Sequence, residues 1–208
     1  MAQAAHDAMD AYREQRVVDE PHITDRFLGS AETRLDIQCK GWEGRHIHWR
    51  ALTLRAGSRS AAHEKEHGAD LLGVFTAKLK GYHVAKGFLA QAKKAEPGVP
   101  FSSAEWKRLQ GQCRTMLART PDAFVVTYST GDGMRFFSAL GVASYEGKDI
   151  FRLYGMAPRQ FFERHFQSFI GDQRLHTPTI DALRALLRKR RPEADRPAFV
   201  LHMQVREG

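Results

Sequence analysis

Cysteine is nearly absent: Cys39 and Cys113 are the only two in 208 residues. They provide neither a disulfide framework nor the ligand spacing of a cysteine-based metal cage, and a reducing, cytoplasmic setting is the plain expectation. Long apolar runs are missing too. No stretch approaches the roughly 18 consecutive apolar residues of a membrane helix, so no membrane association is expected. The opening "MAQAAHDAMDAYREQRVVDE" has no basic n-region and no apolar h-region, so a secretory signal is not expected either. Internal repeats, linkers and low-complexity stretches are lacking, as is any recognisable ATPase or sequence-reading domain.

What remains is an ordinary globular composition with a surplus of positive charge. Hydrophobic residues are 42% and charged residues 27% of the chain, and the length suits a single domain spanning 1–208. The net charge is +8. Lys and Arg in excess favour a polyanionic partner, because phosphate contacts release condensed counterions.

Hydrophobic periodicity outlines an α/β chain. Ile23, Phe27, Leu28, Ala31 and Leu35 recur at helical spacing. The segment before them, residues 1 to about 20, is polar and Ala-rich and predicts a loose or surface helix. "RHIHWRALTLRAG", "ADLLGVF" and "YHVAKGFLAQAKK" read as three strands, adjacent in sequence and expected to pair as an antiparallel meander. "SSAEWKRLQGQCRTML" reads as a helix opened by a Ser102–Glu105 capping box and stopped before Pro121. "DAFVVTYS" and "MRFFSALGV" form a hairpin across "TGDG", and strand–helix–strand order implies a crossover to a parallel neighbour. Two further helices follow. The first carries Phe161, Phe162, Phe166, Phe169 and Ile170 on one face; the second starts at Thr177 and Pro178 and ends in "RKRR". The final "AFVLHMQV" reads as an edge strand.

Asp70 opens one apolar run, and Gln91 and Lys93 close the next. Strand side chains alternate, so Gln91 and Lys93 share a face, and Asp70 joins them if the two strands pair. A carboxylate, an amide oxygen and an ammonium then converge. Carboxylate and carbonyl oxygens suit Mg²⁺, and a lysine beside them orients water or stabilises growing charge on a phosphate. The plainer alternative is that Asp70 begins a strand and Lys93 is a solvated strand end.

"GAD" followed by "QAK" resembles the PD-(D/E)xK, restriction-endonuclease-like superfamily in its Mrr-like form, which has glutamine in the third motif. The resemblance spans about residues 21–141, with the C-terminal helices and strand of 157–206 outside it. It implies a mixed sheet (three-strand meander, crossover helix, parallel strand) flanked by helices. It also implies a Mg²⁺-dependent DNA endonuclease, with Mn²⁺ as a substitute ion. Asp70 is implied as central metal ligand, Gln91 as second ligand through its amide oxygen, and Lys93 as catalytic lysine. The acidic lead-in "HEKEHGAD" makes Glu64 the next candidate, and Glu32 is the matching acid on the preceding helix.

The sequence departs from the family's pattern twice. Ala69 stands for the nominal proline, and Gln91 for a carboxylate, which removes one negative charge from the metal site. The alternative reading is therefore a catalytically inactive nucleic-acid-binding or interaction subunit with the same fold. Arg188, Arg190 and Arg191 of "RKRR" suit a helix C-terminus and are candidate DNA-backbone contacts as well. His46, His48, His63, His67 and His83 read as surface or DNA-facing side chains rather than a zinc site. A bare nuclease module of this kind implies an effector or subunit in restriction, antiviral defence or DNA repair. A regulatory or ATPase partner protein, or a homodimer, would supply its control.

Overall fold

Alanine builds the first helix. The structure, a computed structural model, describes residues 1–40, 46–55, 69–178 and 199–207. Helix α1 (Ala2–Arg13) buries Ala4, Ala5, Ala8, Met9 and Ala11, where small side chains allow a close approach to helix α2 (Glu20–Arg34). Asp7 of α1 accepts hydrogen bonds from Ser30 and Arg34 of α2 at 2.5 and 2.7 Å, which hold its carboxyl at about 2. The expected loose helix is thus part of the core: an alanine stripe is weakly hydrophobic residue by residue, yet it packs tightly. Helix α2 buries Ile23, Phe27, Leu28 and Ala31, as its periodicity predicts.

Among the described residues, eight strands form one mixed sheet: β1 (Ile37–Lys40), β2 (His46–Arg55), β3 (Leu71–Leu79), β4 (Tyr82–Lys94), β5 (Ala123–Ser129), β6 (Gly133–Ser138), β7 (Gly155–Met156) and β8 (Phe199–Glu207). Their spatial order is β1-β2-β8-β3-β4-β5-β6-β7. Strands β3 and β4 pair antiparallel through the two-residue turn Lys80–Gly81, where Gly81 has φ +76°. Helix α3 (Ser103–Leu117) then carries the chain to β5, which lies parallel to β4. The Ser102–Glu105 capping box is present in both directions.

The three-strand meander is not. β8 inserts between β2 and β3, antiparallel to the first and parallel to the second, so the predicted edge strand is an interior one. Its burial explains the place: Phe199, Leu201, Met203 and Val205 all join the core. The predicted strand "MRFFSALGV" ends at Ser138, and Ala139–Ser144 form helix α4. Helix α5 (Pro158–Phe166) buries Phe161 and Phe162, but Phe169 lies beyond its end and is 79% exposed.

Helices α1, α2 and α5 cover one face of the sheet, and α3 and α4 cover the β4–β6 half of the other. Phe161 stacks on Phe136 at 3.9 Å between centroids and meets Phe88 and Phe124 edge-on at 4.9 Å, a geometry aromatic quadrupoles favour. The Phe88 ring lies over Gly73, where a Cβ would collide with it. Beside this cluster, Lys86 is buried and donates to the carbonyls of His165 and Ile170 at the end of α5. No helix among the described residues is long and apolar enough to cross a membrane.

Candidate active site

The site arises where β3 stops short of β4. β3 begins at Leu71, opposite Ala90, whereas β4 continues to Lys94 along its other neighbour, β5. In β4 the even-numbered amides point toward β3, so those of Ala92 and Lys94 have lost their strand partner. Two carboxylates take them. Asp70 Oδ2 accepts from the Ala92 amide at 2.9 Å, and Glu20 Oε1 accepts from the Lys94 amide at 2.8 Å.

Alternation places Asp70, Gln91 and Lys93 on the α3 side of the sheet with Leu72 and Leu89, which pack against Trp106, Leu109 and Cys113 of that helix. Gln91 is 2% exposed, and its Nε2 donates to Asp70 Oδ2 and, at 3.2 Å, to the Ala92 carbonyl. Lys93 Nζ reaches Glu20 Oε2 at 3.4 Å, with side-chain exposures of 13% and 30%. Glu20 comes from the opposite layer and passes the open end of the sheet to meet it. One carboxylate therefore satisfies the Lys94 backbone amide and pairs with Lys93 Nζ together.

Tyr128 lies beneath both acids. Burial raises its hydroxyl above the usual phenol range, and the nearby charges of Asp70 and Glu20 push in the same direction. Its hydroxyl shares a 2.7 Å hydrogen bond with Thr24, whose Oγ1 also reaches the Glu20 carbonyl at 2.9 Å. Thr127, the β5 register partner of Lys93, and Gln91 each keep a buried side-chain oxygen without a hydrogen-bond partner. Burial pushes the Cys113 thiol up to about 12, which makes it a packing group rather than a nucleophile.

Asp70, Gln91 and Lys93 are thus brought together, while Glu32 is not part of the group. It stands on α2 twelve residues beyond Glu20, about 18 Å along a helix axis, and Glu20 is the α2 acid that meets Lys93. Glu20 escapes a sequence reading because an acid in a helix's first turn already has an explanation in the helix dipole. Glu64, Arg188, Arg190 and Arg191 lie outside the described residues, as does the helix predicted to end in "RKRR" apart from its expected start at Thr177 and Pro178. His48 bonds Asp36 at 2.6 Å, on a different part of the sheet.

Among the described residues, no group of three or more His, Cys, Asp and Glu side chains gathers to hold a metal. A hard cation here would need the Gln91 amide oxygen in addition to the carboxylates. In the structure it is the amide nitrogen, not the oxygen, that meets Asp70. No protein-family model, curated protein or solved structure matches the chain.

Proposed function

We propose that this chain is a metal-dependent deoxyribonuclease, hydrolysing phosphodiester bonds on the β3–β4 hairpin, crossover helix and parallel β5 of a restriction-endonuclease-like core of the Mrr type, with β8 in place of the third meander strand. One observation carries the reading: Asp70, Gln91 and Lys93 converge on one face at the split end of β3 and β4, with Glu20 closing the group. A solvated strand end does not need a buried amide beside its carboxylate, nor a second acid from the opposite layer.

The residues fit a divalent cation. Asp70, Glu20 and Gln91 Oε1 are hard oxygen donors, and Gln91 Oε1 is buried and unpartnered. Turning the amide presents that oxygen toward Asp70 in place of the nitrogen. Mg²⁺ or Mn²⁺, when bound, supplies positive charge beside the scissile phosphate. Lys93 donates its N–H groups to the attacking water or to the phosphate oxygens that gain charge as the P–O bond breaks. Glu20 holds Lys93 in place through the 3.4 Å contact of its Oε2 with Nζ. Asp70 is fixed by the Ala92 amide, which leaves little reorganisation for the reacting state.

A second reading, nucleic-acid binding without cleavage, draws on the Gln91 nitrogen that occupies Asp70 Oδ2. Supercoiled plasmid incubated with Mg²⁺, Mn²⁺ or EDTA separates the two. The nuclease reading expects metal-dependent nicking that vanishes in Asp70→Ala while the variant's fold, by circular dichroism, is kept. Full cutting by purified Asp70→Ala sinks the site; binding with no cutting under any metal favours the second reading.

A further inference from the structure

The β1–β2–β8–β3 half of the sheet presents a polar, positively charged surface on the same face as Asp70, Gln91 and Lys93. Register places His48, Arg206, Lys78 and His83 side by side across four strands. Two residues further along, Arg50, Gln204 and Thr76 form the next row. Arg50, Lys78, His83 and Arg206 are exposed. Cations on neighbouring strands stand about 4.8 Å apart, a spacing that costs repulsion unless an anion lies over them.

Among the described residues no carboxylate pairs with Arg50, Lys78 or Arg206; Asp36 engages His48 at the rim. A polar ladder steadies the rows. Thr76 Oγ1 and His202 Nε2 share a 3.0 Å bond, Gln204 Nε2 lies 2.9 Å from His202 Nδ1, and Arg206 Nη2 donates to Gln204 Oε1 at 3.2 Å. The field there is positive: burial lowers the His202 imidazole to about 4, and Arg206 and Lys78 push it the same way.

We propose that this half-sheet face is a docking surface for the phosphodiester backbone of a nucleic acid. The class follows from the surface chemistry. Protein interfaces centre on aromatic and apolar anchors, and neither row contains one, whereas nucleic-acid interfaces are polar and strongly positive. Amide, hydroxyl and guanidinium donors suit phosphate oxygens, which position a backbone without reading its sequence. The surface also relates to the candidate active site, and this step rests on the nuclease reading. Lys78 of β3 and Asp70, the residue just before that strand, lie on one face eight residues apart, about 26 Å of extended chain. That distance is roughly 8 base pairs of duplex at 3.4 Å each, so one duplex held on the half-sheet extends to the split end of β3 and β4.

The test is fluorescence anisotropy with a labelled duplex of about 24 base pairs, in EDTA, across about 50 to 200 mM salt. Removing three phosphate contacts with Arg50→Gln, Lys78→Gln and Arg206→Gln should reduce the slope of log K against log salt by about 2.7. Affinity should fall at least about tenfold at the upper salt concentrations. Lys78→Gln alone, near a strand end, keeps the test open if the triple variant misfolds, with an expected reduction of about 0.9. A control that removes the same charge from Arg119, Arg152 and Arg159 should leave the slope in place. The proposal falls if the slope is unmoved, if the control matches the triple variant, or if the parent binds polyglutamate or anionic vesicles in preference to duplex. Because EDTA removes any metal-dependent cutting, such a failure leaves the Asp70–Lys93 reading standing. A parent that binds through this face but never cuts plasmid overturns only that reading.

Discussion

Glu20 is the side chain whose replacement best separates scaffolding from catalysis. Its two carboxylate oxygens do different work: Oε1 accepts from the Lys94 amide at 2.8 Å, and Oε2 pairs with Lys93 at 3.4 Å. Glu20→Gln keeps a carbonyl oxygen for the amide and removes the charge. The pair is partly solvated, so its loss should cost about 0.5 to 1 kcal/mol of stability. Glu20→Ala also leaves the Lys94 amide without an acceptor, which adds about 1 to 3 kcal/mol if water does not enter. Urea denaturation at pH 7.5 should therefore rank parent, Gln variant and Ala variant in that order, with the larger step between the two variants. Plasmid cutting should follow a different pattern. Both variants lose the charge that pairs with Lys93 and that the proposed cation site would use, so both should drop about 100-fold or more in rate, as when one preorganised group is removed from a site. The reasoning is refuted if Glu20→Gln cuts like the parent, since the carboxylate would then be only a backbone cap. It is refuted equally if rates track stability through both variants.

Gln91→Glu should lower the Mg²⁺ concentration needed for cutting, because it adds an anionic oxygen donor where the structure has a neutral amide; an unchanged metal titration would place Gln91 outside the cation site. His165 sets an acid limit on stability. It is fully buried, and burial first, then the neighbouring Lys86 charge, lowers it to about 3. The folded state keeps it neutral while the unfolded chain takes up a proton below its ordinary 6.5, so its contribution is complete above that pH and is lost as the pH falls toward 3. Between pH 6.5 and 5 the loss is about 2 kcal/mol, readable as a falling urea midpoint in the parent and a flatter profile in His165→Asn; identical profiles would contradict the assignment.

Much of the architecture was legible in local signals. The capping box of α3, the Phe161–Phe162 stripe of α5, the "TGDG" hairpin and the strand–helix–strand crossover each depend on residues close together in the chain, and each is present. The convergence of Asp70 with Gln91 and Lys93 was legible for a similar reason: they lie on consecutive strands joined by a short turn, so alternation settles their face once the strands pair. What the tertiary structure alone decided depends on long-range placement. No pattern in "AFVLHMQV" says whether a buried strand sits at an edge or between β2 and β3, because hydrophobicity records burial and not neighbours. An alanine stripe looks the same on a surface helix and on α1, where it permits close packing against α2. The acid that meets Lys93 was decided by which turn of α2 packs against the end of β4: its first turn does, which puts Glu20 there and leaves Glu32 about 18 Å further along the helix. Periodicity is a property of neighbouring residues, whereas a site assembled from two layers depends on how those layers pack.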